Sequence, residues 1–105
     1  MTFGQVVAKA RHLAGLSQKE LAGRVAKEDG RPISAQYLND IEHDRRGAPS
    51  DHLIRQLARV LKIKVEYLYY LAGELPADLQ GHQVDEATVV AAYEAFRRRL
   101  RVAKE

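Results

Sequence analysis

Apolar residues recur along this chain at three- and four-residue spacing, which predicts helices and no strand. Phe3, Val6, Val7, Ala10, Leu13 and Ala14 form the first stripe. A T-x-x-Q capping box at Thr2 and Gln5 opens it, and Gly15 closes it where a left-handed backbone costs glycine little. Leu21, Ala22, Val25 and Ala26 form the second stripe, led by a capping box of Ser17 with Glu20 and a staple from Leu16 to Leu21. Lys27–Pro32 is polar, contains Gly30 and Pro32, and reads as a turn. Ser34 then caps a short helix to Glu42, with Ile33 stapled onto Leu38. Leu38 and Ile41 share its inner face, whereas Ala35, Gln36 and Asn39 point outward with Asp40 at the edge. After a loop (His43–Pro49), Ser50 caps a fourth helix striped by Leu53, Ile54, Leu57, Ala58 and Leu61. Ile63–Leu71 reads as a short fifth helix, ended by Gly73 and Pro76. Glu74–Val84 is a linker. Asp85 caps a long last helix, where Val84 can staple onto Val89. There Val89, Tyr93, Phe96, Leu100 and Ala103 make a heptad-type seam about two heptads long.

The fold class that follows is all-α, and 105 residues suffice for one small domain with a modest core. Abundant helix formers and only three prolines agree. The chain has no cysteine, which excludes disulfides and thiolate metal sites. No apolar run approaches a membrane span and no signal-peptide core is present, so a cytoplasmic chain without membrane contact is expected. The net charge of +3 suits nucleic acid but says little by itself.

Candidate chemistry is concentrated on the outward face of the third helix. A helix that presents Gln36 and Asn39 from its first turns fits the edges of bases in a major groove, and Gln36 can pair bidentately with adenine. Arg31, Arg45 and Arg46 add sequence-independent attraction to phosphate. Asp40 would be repelled by phosphate; it either accepts from a cytosine amino group, orients a neighbouring arginine, or sits away from DNA. The four histidines, His12, His43, His52 and His82, are scattered without zinc-site spacing. Neither a nucleophile elbow nor a glycine-rich phosphate loop surrounds them, so no enzymatic activity, cofactor or metal is expected. Arg97–Arg99 and Arg101 read as the solvated face of the last helix.

The series Leu16-Ser-Gln-Lys-Glu-Leu-Ala22, Ile33-Ser34, Tyr37-Leu38-x-x-Ile41-Glu42, Pro49-Ser50 and Leu57-Ala58 resembles the Cro/repressor (XRE-like) type of helix-turn-helix over about residues 3–73. The resemblance implies a five-helix domain, 1–73, whose second and third helices form the motif. It places Gln18 at a phosphate, Ala35, Gln36, Asn39 and Asp40 at base-reading positions, Ser34 and Tyr37 near the DNA backbone, and Arg45 and Arg46 in a phosphate-facing loop. It also implies that Arg11 and Glu42 pair to tie the first helix to the end of the third.

Three departures from the family pattern stand out. The tight turn of the motif is enlarged by Lys27–Pro32, which either extends the second helix or makes a wing. Asp44 replaces the usual glycine two residues after Glu42. Lys62-Ile-Lys64 leaves the fifth helix without a good cap. Residues 74–84, a linker, and 85–105, the last helix, lie outside the resemblance. Val89, Tyr93, Phe96 and Leu100 are expected to form a dimerisation stripe. The resulting expectation is a homodimeric repressor of bacterial or phage origin, bound to a double-stranded operator. The alternatives are the antitoxin of a toxin–antitoxin pair, whose last helix holds a toxin or other protein partner, and an interaction module that has lost DNA binding.

Overall fold

The structure, a computed structural model, describes residues 1–104. Its helices are α1 (Phe3–Leu13), α2 (Gln18–Arg24), α3 (Ala35–Glu42), α4 (Asp51–Leu61), α5 (Val65–Ala72) and α6 (Glu86–Lys104). Local chemistry sets most of their starts. Thr2 and Ser17 cap α1 and α2 through complete capping boxes. The Ser34 hydroxyl accepts from the Tyr37 amide, and the Ser50 hydroxyl from the Leu53 amide. Asp85 receives the Thr88 amide at the start of α6. No side chain caps α5, as the lysines ahead of it imply.

Helices α1 to α5 enclose a single core, in which Val7, Leu21, Leu38, Ile54, Leu57 and Leu68 are fully sequestered. α1 crosses the C-terminal end of α3 at close range. A Cβ added at Gly4 would collide with the backbone carbonyls of Ile41 and Glu42. Asp44 secures the same junction. It adopts a left-handed φ of 56°, and its carboxylate accepts from the Gly4 amide and the Thr2 hydroxyl. An anion is thereby held at the positive end of α1.

Several sequence expectations are corrected. Leu13 is 80 % exposed and Ala14, the C-cap, is exposed, because the core ends before the last turn of α1 does. Val25 is buried yet lies beyond α2, in extended conformation, and Ala26 is also outside the helix. Instead of extending α2, the chain turns back on itself. Ala26 bridges Pro32 in antiparallel fashion, and Val25 and Lys27 bond to Ile33 and Arg31. A small hairpin replaces the tight turn. It is anchored on α4, where Gln56 accepts from the Ala26 amide and the His52 ring contacts the Ala26 carbonyl. α5 begins at Val65, two residues after Ile63, because Lys62 takes a left-handed conformation to end α4. Within the linker, Pro76 leads a 3-10 turn, Ala77–Leu79.

No residue of α6 is buried among those described. Its stripe remains open, with Tyr93 53 % and Phe96 45 % exposed. Phe96 meets the edge of Tyr70 on α5, with ring centroids 5.9 Å apart.

Candidate nucleic-acid interface

The interface begins with the core residues that aim α3. Ile33, Leu38 and Ile41 are buried, which fixes the helix by one face and leaves Gln36 exposed on the other. Ala35, Tyr37, Asn39 and Asp40 are half-buried around it. Ser34, at the cap, is also exposed. Among the α3 side chains expected to read DNA, Gln36 is thus the exposed one, and the others are partly covered.

Beneath this face lies an ion pair. Nε of Arg11 donates to Oε2 of Glu42 (2.7 Å) and Nη2 donates to Oε1 (3.0 Å). Both residues are buried. Nη1 of Arg11 also donates to the Leu16 carbonyl, which locks the turn between α1 and α2. Burial opposes ionisation of Glu42, but hydrogen bonds from Arg11 and Gln18 and the charges of Arg11 and His12 outweigh it, so its pKa lies below the usual carboxylate value. The hydrogen bond to Glu42 is the leading reason that the Arg11 pKa is raised. A forked guanidinium satisfied on both sides is the arrangement that makes such burial tolerable.

Gln18 stands between this pair and the surface. Its Nε2 donates to Oε1 of Glu42 (3.0 Å), and its Oε1 accepts from Nδ2 of Asn39 (3.3 Å). Oδ1 of Asn39 in turn accepts from Nη1 of Arg45 (3.0 Å). On the outer edge, the Asp40 carboxylate collects three partners. Nε2 of Gln36 donates to it at 3.1 Å, Nη1 of Arg45 at 3.3 Å, and Nε of Arg46 lies 3.7 Å away. Arg46 also stacks on Tyr37, 4.8 Å from the ring centroid. Asp40 thus lies within reach of both arginines that follow α3.

Arg31 stands apart from this cluster. It lies near the hairpin tip, 83 % exposed at the side chain, with Asp29 4.0 Å away. The sequence did not reveal the polar links through Gln18, nor Asp44 as a tie to α1. The only signal for Asp44 was its place where glycine is usual. Among the described residues no group of side chains could hold a metal ion, and no helix is long and apolar enough to cross a membrane.

A helical domain with this exposed α3 is a helix-turn-helix DNA-binding domain in architecture. The helix-turn-helix family model matches residues 7–68, more than half of the chain. The chain belongs to that family, of the Cro/repressor type, and is a DNA-binding regulator. Comparison with curated proteins gives no match. Among solved structures, a chain of the SinR protein/SinI protein complex is similar in fold, with a TM-score of 0.53 at 23 % identity, over 98 % of this chain and 95 % of that one.

Proposed function

We propose that this protein is a sequence-specific transcriptional repressor that binds a two-fold operator as a homodimer. The observation that supports it best is the exposed face of α3, where Gln36 and Asn39 stand beside Arg45 and Arg46. Each subunit lays α3 in a major groove, with half-sites about one helical turn apart. Gln36 reads an adenine edge and Asn39 a neighbouring base. Ala35 leaves room for the base edge, and Asp40 lies on the same face. Ser34, Tyr37, Gln18, Arg45, Arg46 and Arg31 face the DNA backbone and fix the register. The helix-turn-helix domain is residues 1–73, joined by 74–84 to a dimerisation segment at 85–105, of which residue 105 lies outside the described residues. Val89, Tyr93, Phe96 and Leu100 of the two copies pack together.

Selection from random duplexes followed by binding measurements tests the reading. Gln36→Ala should cost about 1–3 kcal/mol at one base and relax the preference there. Arg46→Ala should weaken binding to every sequence and flatten the salt dependence. Unchanged affinity and selectivity in Gln36→Ala would remove Gln36 from the reading face.

In a second reading α6 holds a different protein instead of its twin. It is supported by the similar solved structure, a complex of the SinR protein with the SinI protein. Residues 85–105 would then control DNA binding through that partner.

A further inference from the structure

The hydrogen bonds behind α3 have a fixed direction. An ionised carboxylate can only accept and a guanidinium can only donate, whereas an amide does either according to which end faces its partner. Glu42 is acceptor-only, so Gln18 turns its nitrogen inward to it. The Gln18 oxygen is then left facing α3, and Asn39 must meet it with nitrogen. The Asn39 oxygen consequently faces Arg45, which is donor-only. At the other edge Asp40 is acceptor-only, and Gln36 meets it with nitrogen. Turning over any one amide would set oxygen against oxygen or donor against donor.

We propose that Asp40 and Gln18 are positioning residues for base readout: they hold the amides of Gln36 and Asn39 in one orientation before DNA arrives. The proposal rests on the reading of α3 as the base-reading helix. With one N–H of Gln36 given to Asp40, the other N–H and the oxygen remain in a set order. Adenine, with an acceptor at N7 and a donor at N6, matches a donor–acceptor pair, whereas guanine offers two acceptors. An amide free to turn over presents either order and discriminates less. Asp40 also partly neutralises Arg45 and Arg46, 3.3 and 3.7 Å away. That neutralisation subtracts from the attraction that every sequence shares. Both effects act on selectivity.

The test uses the full chain, selection from random duplex DNA, binding to a fixed random duplex across salt concentrations, and thermal melting. Asp40→Asn keeps the shape but can donate as well as accept. It should melt like the parent protein, bind random duplex about tenfold more tightly at low salt, and steepen the salt slope by about one. It should also lose about fivefold or more of the preference at the base read by Gln36. In a Gln36→Ala background, Asp40→Asn should leave that preference unchanged, because no amide remains to be oriented. Gln18→Met keeps both Arg11–Glu42 bonds but loses its own bond to Glu42 and its contact to the DNA backbone; beyond a uniform weakening, it should relax the preference at the base read by Asn39, with little change at the other. An Asp40→Asn variant that keeps its full preference where Gln36→Ala loses it overturns the proposal and leaves the reading of α3 intact. Uniformly weaker binding with a lowered melting temperature makes Asp40 a structural residue and also overturns it. A parent protein with no base preference overturns the base-reading role itself.

Discussion

Single residues tie α1 to α3 at their junction. Glu42 is buried and receives two hydrogen bonds from Arg11. Its removal strands a guanidinium, at a typical cost of about 3–5 kcal/mol. Glu42→Ala should therefore melt well below the parent, and Glu28→Ala, in the exposed hairpin, should not; equal melting temperatures would count against a buried pair. The pH dependence has a definite sign. The folded pKa of Glu42 lies below its ordinary value of 4.5. Its contribution is thus fully present above that value and is lost as the pH falls through the folded pKa. Acid titration of the melting temperature should show this loss in the parent and a shallower one in Glu42→Gln. Asp44 gives a second contrast. Its left-handed φ costs a non-glycine residue about 1–2 kcal/mol, which its bonds to Gly4 and Thr2 offset. Asp44→Ala keeps that cost and loses the bonds, whereas Asp44→Gly loses both. Alanine should be the less stable of the two by about 1 kcal/mol in chemical denaturation.

At the scale of elements, the α4–α5 connection leaves stability unused. Lys62 is left-handed with φ 58°, and Lys64 caps α5 without a side-chain bond. Lys62→Gly should stabilise by about 1 kcal/mol through relief of backbone strain. Lys64→Asp should add about 0.5–2 kcal/mol by accepting a free amide of the first turn. Thermal melting checks both, and no gain in either would show that tertiary packing alone sets this end of α5. The hairpin between α2 and α3 depends on distant support instead. Gln56 and His52 satisfy both polar backbone groups of Ala26. In Gln56→Ala the Ala26 amide should exchange with solvent much faster, while α3 amides remain protected.

For the whole molecule, the balance is between one copy and two. α6 exposes a stripe of Val89, Tyr93, Phe96 and Leu100, and buries none of its residues among those described. A contiguous apolar stripe of this kind is costly in water and suits a partner helix. A lone helix-turn-helix domain also gains specificity by reading two half-sites. A chain ending at Gly73 and the double variant Phe96→Glu/Leu100→Glu should both be monomeric in light scattering and bind operator more weakly. Dimers that survive removal of residues 74–105 would place the dimer contact elsewhere.

The sequence by itself determined the all-α class, the caps at Thr2, Ser17, Ser34, Ser50 and Asp85, and the division of α3 into a buried and an exposed face. These are local properties, set by side chains a few residues apart. The family resemblance also implied that Arg11 and Glu42 meet, although they are far apart in the chain. Tertiary structure decided the rest. Leu13 fits the stripe of α1 yet points to solvent, because the core ends before the last turn does. Val25 and Ala26 fit a helical stripe, yet they enter a hairpin whose backbone groups are satisfied by residues of α4. The bonds of Arg11 on α1 to Glu42 on α3, and of Gln18 on α2 to Glu42 and Asn39 on α3, join residues of separate elements. Their partners exist only once α1, α2 and α3 have packed, since no periodicity encodes which end of an amide faces a carboxylate.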